Sequence, residues 1–253
     1  MVVHRIRIAG TGVQFPPGPF IMKNNNNKTV IIDLGGSIVV PVAGEVNVEF
    51  LKNFRVFILK MLKQGFRFII VVGGGKTARI YQEAARKLGI VSCGDLDLIG
   101  IHATHINAHL VRSVFCDYAV RGIIDDFRKK IKGDWKIIIA SGTRPGWSTD
   151  YVSVRLAQKA GVKKIIVASN IDYVYTGDIA KDSAAKPLSE ISWKDYRKLI
   201  SDEWTPGMPS PVDPIAAKFA QKNGIKAIIL RGTDLKNLEK SILGKNFIGT
   251  LIS

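Results

Sequence analysis

The sequence predicts an α/β fold in which a mainly parallel sheet is packed against helices, and three features carry that expectation. Short runs rich in Val and Ile, at Val30 to Leu34, Phe68 to Val72, Trp135 to Ala140 and Lys164 to Ala168, are separated by longer stretches with helical character. Two of the runs end in glycine turns that lead towards helix-forming sequence, Gly35-Gly36-Ser37 and Gly73-Gly74-Gly75. With 253 residues and 46% hydrophobic content, the chain is long enough for one large α/β domain or two lobes around a substantial core.

Residues 1–28 stand apart. They hold Arg5, Arg7, Lys23 and Lys28 without an acid, a Pro16-Pro17-Gly18-Pro19 stretch and the run Asn24 to Asn27, and so read as a flexible basic extension to a domain at 29–253. The first strand, Val30 to Leu34, turns through Gly35-Gly36-Ser37, and Val48 to Leu62 then carries apolar residues at helical spacing. The second strand ends at Val72. Beyond its three glycines, Ala78 to Leu88 reads as a helix closed by Gly89. Cys93 to Gly100 reads as a turn entering a long helix from Leu98 to Cys116, where Ile101, His105, Ala108 and Val111 recur at three- and four-residue intervals. The strand at Trp135 to Ala140 leads through Ser141 to Asp150 into a helix from Tyr151 to Ala160, and the strand at Lys164 to Ala168 leads into the loop from Ser169 to Asp178.

The glycine turns are where chemistry is expected. A buried strand that ends in glycines and opens a helix brings unshielded backbone N–H groups, a helix N-terminus and nearby cations together, which suits a phosphate. If the first two strands are parallel neighbours, both turns open on the same carboxyl edge. A Walker loop is excluded because the position that needs its first glycine is Ile70. The dinucleotide fingerprint fits Gly73, Gly75 and Ala78, with Asp97 about twenty residues on. However, that acid should end a second strand, and here a complete strand, turn and helix precede the fingerprint.

Composition narrows the partners. The net charge of +16 suits polyanions, but the lysines are scattered singly and no basic block is interleaved with aromatics. The excess either draws in polyanionic nucleotides or keeps the protein soluble, and nucleic acid is not expected as a partner. Cys93 and Cys116 lack metal-site spacing, and His102, His105 and His109 have no carboxylate or cysteine within the same turns, so no metal site is expected from them. No run is long enough for a membrane span and no signal-peptide stretch opens the chain, which makes a soluble cytoplasmic protein the expectation.

In order, IDLGGS, VVGGGKTAR, DLIGI, SGTRPGWSTD, SNIDYVYTGD and PVDPIAAKFAQKNGI resemble the amino-acid kinase superfamily and, within it, the uridylate kinases of the archaeal type. The resemblance runs from Val30 to the terminal Gly249-Thr250-Leu251-Ile252. It implies a three-layer αβα sandwich around the sheet, phosphorylation of UMP by ATP with Mg²⁺, and a homo-oligomer, usually a hexamer. By motif position it implies that Gly36, Ser37, Gly75, Arg79, Ser169, Asn170, Tyr175 and Asp178 bind ATP. Gly74, Asp97 and the loop Thr143, Arg144, Pro145, Gly146, Trp147, Ser148 and Thr149 would bind UMP.

Arg79 would neutralise charge at the transferring phosphate, joined by Lys76 and Lys218. Many superfamily members carry a lysine two residues before the first glycine pair, where this chain, like the archaeal uridylate kinases, does not: it has Asp33. Lys218 can equally be an exposed lysine on an amphipathic helix. Tyr173 stands where the family has glycine, and Gly177-Asp178-Ile179 replaces its usual tripeptide. Two alternatives are a kinase for another small phosphate or acid, such as isopentenyl phosphate, and a non-catalytic nucleotide-binding or storage protein. Lys76-Thr77-Ala78-Arg79, in place of the histidine of isopentenyl phosphate kinases, speaks against the first, and the presence of both nucleotide loops speaks against the second.

Overall fold

The computed structural model describes residues 28–90, 92–126, 134–177, 184–203, 205 and 210–253. The basic extension up to residue 27 and Asp178 lie outside the described residues.

Seven strands form one sheet in the order β3-β2-β1-β4-β8-β9-β7. They are β1 (Thr29–Leu34), β2 (Arg67–Val72), β3 (Ile137–Ala140), β4 (Lys164–Ser169), β7 (Glu190–Ile191), β8 (Lys226–Arg231) and β9 (Thr250–Ile252). A separate antiparallel pair joins β5 (Val174–Tyr175) to β6 (Pro187–Leu188). Every pairing in the large sheet is parallel except β8 with β9. Strand order advances from β1 to β2 and β3 on one side, and from β4 to β8 on the other. The direction of winding thus reverses between β1 and β4, where α/β sheets open a crevice at the carboxyl ends of their strands.

Alternation along the strands builds the three layers. Ile31, Ile69, Val71, Ile138 and Ile165 face α5 (Thr149–Ala160), α6 (Trp193–Leu199) and α7 (Pro214–Asn223), packing with Val152, Leu156, Tyr196 and Ala216. Ile32, Leu34, Phe68, Ile70 and Val72 face the opposite way, onto α1 (Gly36–Val39), α2 (Val48–Lys63), α4 (Cys93–Val114) and α8 (Leu235–Ile242). There Phe54 stacks on Phe50 at 5.3 Å and meets Phe115 edge-on at 6.0 Å. Asp33 breaks the pattern: only 2% exposed, it occupies a β1 position on the Ile31 side of the sheet, where α5 packs.

The remaining helix, α3 (Gly75–Lys87), leaves the second glycine turn directly and packs against α4. Helix α4 begins at Cys93, where the sequence predicts a turn and a helix only from Leu98. Gly94 and Gly100 look like turn residues, but the Ser92 hydroxyl caps the helix by accepting from the Asp95 N–H, and Asp95 suits the positive helix end. Gly100 lies close to α3, where a Cβ would come 2.7 Å from Gln82 Nε2. Strand β3 begins at Ile137, two residues later than expected. Among the described residues no helix is long and apolar enough to cross a membrane.

Candidate active site

The two glycine turns touch. Strands β1 and β2 run in register from Thr29 opposite Arg67 to Leu34 opposite Val72, so both turns leave the sheet at the same level. A Cβ on Gly36 would lie 2.1 Å from Gly75 N and 2.5 Å from Gly73 C, and one on Gly75 would lie 2.3 Å from Gly36 O. Gly75 also has φ +61°, in the left-handed region that glycine enters without strain. The Gly73 N–H donates to Leu34 O at 3.0 Å. Asn107, buried on α4, donates from Nδ2 to the carbonyls of Gly73 (2.9 Å) and Gly74 (3.0 Å). With their carbonyls tied back, the glycines leave the opening of α3 directed at a cleft of about 480 Å³.

One wall of the cleft belongs to α3, α4 and the loop after β3. Arg79 and Gln82 come from α3, and Asp97, Gly100 and Thr104 from α4. Helix α4 grips the loop at Gly142 from both sides of its peptide: Gly142 N–H donates to Thr104 Oγ1 at 2.8 Å, and His105 Nε2 donates to Gly142 O at 2.9 Å. Farther along, Gly146 N–H donates to Asp97 Oδ2 at 2.6 Å. Burial raises the Asp97 pKa, and this N–H opposes the rise. Trp147, Ser148 and Thr149 then line the cleft. The Trp147 ring is flanked by the Arg144 guanidinium, 3.5 Å from its centroid, and by Tyr151 at 5.0 Å.

The opposite wall is the end of β4 and the loop after it. Gly35 N–H donates to Ala168 O at 2.9 Å, joining the first glycine turn to β4, and Ser169 and Asn170 line the cleft. The loop is held by a fork from Arg231 to Asp172, with Nε to Oδ1 at 2.7 Å and a second nitrogen to Oδ2 at 2.8 Å. Arg231 holds the Asp172 carboxyl below its usual range.

Three carboxyl groups line the depth of the cleft: Asp33 from β1, Asp150 from the first turn of α5, and Asp213, the N-cap of α7. Asp33 accepts from Ser153 Oγ at 2.8 Å. Asp150 Oδ2 accepts from the Asp213 N–H at 3.0 Å. Asp213 Oδ1 accepts from the N–H groups of Ile215 (2.7 Å) and Ala216 (3.0 Å), and Oδ2 accepts from the Ser148 hydroxyl. Burial pushes Asp33 up to about 7 against the opposing hydrogen bonds. Asp150 rises well above its ordinary value, through burial first and then the charges of Asp33 and Asp213; Asp213 rises through burial.

Of the residues predicted from sequence, the cleft gathers Gly36, Ser37, Gly74, Gly75 and Arg79, with Asp97, Trp147, Ser148, Thr149, Ser169 and Asn170 around them. Gly146 reaches the site through Asp97. Thr143, Arg144 and Pro145 share its loop but do not line the cleft, although Thr143 Oγ1 is buried without a hydrogen-bond partner. Tyr175, in β5, packs edge-on against Tyr173 outside the lining. Lys76 and Lys218 are exposed, on α3 and α7, and also lie outside it. Arg79 is the one cationic side chain lining the cleft among the described residues.

Sequence reasoning missed Gln82, Asn107, Thr104 and the pairing of the three acids. The only local signal for the acid cluster was a carboxylate inside the apolar run of β1.

The sequence profile of the amino acid kinase family matches residues 28–231. The uridylate kinase of Methanocaldococcus jannaschii is 35% identical over 228 residues, covering 88% of this chain and 98% of its own. That of Methanocorpusculum labreanum is 33% identical over 226 residues, covering 88% and 94% respectively. The crystal structure of the uridylate kinase from Archaeoglobus fulgidus superposes with a TM-score of 0.73 at 30% identity, over 89% of this chain and 100% of that one. The UMP kinase of Bacillus anthracis shares the fold, with a TM-score of 0.72 at 24% identity over 89% and 96% of the two chains.

Proposed function

The chain belongs to the amino acid kinase family, and on that premise we propose that it transfers the γ-phosphoryl group of ATP to UMP, forming UDP and ADP for pyrimidine nucleotide synthesis. The observation that carries this reading is the backbone contact of the two glycine turns at the switch point, with an Asp97-anchored loop on one wall and the β4 loop on the other. Such a site offers two polyanions a common boundary.

UMP takes the α4 wall. Asp97 accepts from the ribose hydroxyls, the loop from Thr143 to Thr149 surrounds the nucleoside, and Gly74 approaches its phosphate. ATP takes the other wall, with Gly36, Ser37 and Gly75 at its phosphates, and Ser169, Asn170, Tyr175 and Asp178 around the nucleoside. The amino-terminal part of the domain 29–253 thus serves the acceptor and the carboxy-terminal part the donor, with residues 1–28 as an appended arm.

A UMP phosphate oxygen attacks the γ-phosphorus in line. The bond from that phosphorus to the β,γ-bridging oxygen breaks, and ADP leaves with the electron pair. UMP is already ionised near neutral pH, so no side chain has to remove a proton. Arg79, which lines the cleft, and the N–H groups that open α3 oppose the charge spread over the transferring phosphoryl group. Lys76 and Lys218 are further candidates for this charge, from outside the lining.

Among the described residues no group of three or more carboxylate, histidine or cysteine side chains is arranged to hold a metal, and the cleft acids are bonded to one another and to their neighbours. Magnesium would enter with ATP as part of the Mg-ATP substrate, where it would neutralise phosphate charge. The enzyme works in the cytoplasm as a homo-oligomer, a hexamer by family habit. The exposed Tyr81 (65%) on α3, Leu88 (80%) at its C-cap and Ile106 (65%) on α4 suit a subunit contact.

An ADP-release assay with UMP, CMP, dTMP, acetylglutamate and isopentenyl phosphate tests the reading. UMP should be the strongly preferred acceptor. Absence of turnover with all five, alongside ATP binding, would overturn it.

A further inference from the structure

Gln82 lines the acceptor wall without a task in the reaction proposed above. It is 5% exposed and comes from α3 three residues beyond Arg79, one turn farther from the glycine opening on the same helix face. Its Nε2 donates to Leu96 O at 2.8 Å in a buried bond between α3 and α4. That bond settles the orientation of the amide, since the reverse flip would set two carbonyl oxygens against each other. Gly100 lies against the same nitrogen, where a Cβ would come within 2.7 Å. The donor end is therefore occupied. Oε1 has no hydrogen-bond partner among the described residues, and solvent reaches it. Because Gln82 is so little exposed and lines the cleft, the open side of this oxygen is the cleft.

The neighbouring acceptor is Asp97. Leu96 O, which Gln82 holds, belongs to the peptide that leads directly into Asp97, and Asp97 Oδ2 takes the Gly146 N–H at 2.6 Å. One peptide thus couples two acceptors on the same wall, a carboxylate and a neutral amide oxygen. A ribose presents two vicinal hydroxyl donors. Meeting them with one charged and one neutral acceptor satisfies both, while placing a single negative charge near a nucleotide that is itself an anion. A deoxyribose lacks one donor and leaves a desolvated acceptor unpaired.

We propose that Gln82 selects the sugar of the acceptor: its Oε1 accepts from one of the two ribose hydroxyls and Asp97 from the other, so that the site prefers ribonucleotides to deoxyribonucleotides. This rests on the reading of the α4 wall as the UMP site.

The test measures kcat/KM for UMP, 2′-deoxy-UMP, 3′-deoxy-UMP and CMP with the wild type and with Gln82→Met, which keeps the length of the side chain but has no carbonyl acceptor. The wild type should prefer UMP to each deoxy analogue by about tenfold or more, the usual scale for one hydrogen bond left unpaired. In Gln82→Met, UMP should fall about tenfold while the analogue lacking the hydroxyl that Gln82 holds stays within about twofold; the other analogue remains disfavoured relative to UMP through Asp97. An equal fall for all four nucleotides, as a merely structural role through Leu96 would give, overturns the inference. So does a wild type indifferent to both missing hydroxyls, or a fall that spares CMP alone, which would put Oε1 at the base. Gln82→Leu supplies the same comparison should Gln82→Met fail to fold.

Equilibrium binding of UMP and its two deoxy analogues keeps the two readings apart. UMP bound with this preference but not phosphorylated supports the sugar contact and removes the kinase reaction. UMP turned over without any preference keeps the reaction and overturns the contact.

Discussion

The two walls of the cleft are built differently. On the α4 side, a 22-residue helix supplies Asn107 to the glycine carbonyls, Thr104 and His105 to the Gly142 peptide, and Asp97 to Gly146. Most of these bonds are buried or partly buried, and each joins a regular element to a turn. On the β4 side, the loop is fixed at its two ends, by Gly232 N–H to Ser169 O at 2.7 Å and Val174 N–H to Thr250 Oγ1 at 2.8 Å, but between them it is held by an ion pair whose members are 45% and 40% exposed. A wall made of buried polar bonds resists deformation, because breaking one strands a desolvated group; an exposed ion pair contributes about 0–1 kcal/mol. Selectivity for the acceptor is therefore expected to sit in rigid structure, while the donor wall can yield.

The strongest challenge to this contrast is at the boundary of the walls. Gly36→Ala should abolish turnover and lower stability by about 3 kcal/mol or more, because the new methyl group meets backbone rather than a movable side chain. Activity assays and thermal unfolding would both register it. Arg79→Ala should lower kcat by about 10²–10³-fold, the usual loss when one donor to developing charge is removed. Its unfolding temperature should be nearly that of the wild type, as the side chain is exposed.

The depth of the cleft belongs to neither wall and gives a stability test. An acid whose pKa is raised on folding, such as Asp33 from 3.8 to about 7, binds more protons in the native state than in the unfolded state across that window. Its contribution is most favourable below pH 3.8, is lost progressively as pH rises to about 7 and changes little above. Asp150 acts in the same direction. Asp33→Asn should consequently gain stability relative to wild type at pH 8, by about 1–3 kcal/mol in denaturant titrations, and gain less at pH 5.

Smaller effects separate the walls themselves. Asp97→Asn should raise KM for UMP by about tenfold, the equivalent of one charged hydrogen bond, and leave KM for ATP near its original value. Asp172→Ala should raise KM for ATP by no more than about fivefold without affecting UMP. Equal effects of both substitutions on both substrates would erase the distinction between the walls.

What could be read in the sequence followed from how local its cause is. The strands and glycine turns were visible because an apolar run and an absent Cβ are properties of adjacent residues. The start of α4 was hidden behind Gly94 and Gly100, whose helical state depends on the Ser92 cap and on a neighbouring helix. The acid cluster was invisible as a cluster: residues 33, 150 and 213 meet only because the sheet reverses its winding between β1 and β4. Lys76 and Lys218 show the converse limit, since proximity to a motif in sequence does not decide which way a helix turns a lysine.

The contact of Gly36 with Gly75 has a consequence for redesign. Because main chain rests on main chain there, the span between the two cradles is not adjustable by exchanging side chains. An engineer seeking a new acceptor would do better to rebuild the outer loop between Thr143 and Thr149 and leave the meeting of the turns alone. Longer or shorter phosphate chains would have to be accommodated at their far ends, with the crossing point acting as the fixed origin from which both are measured.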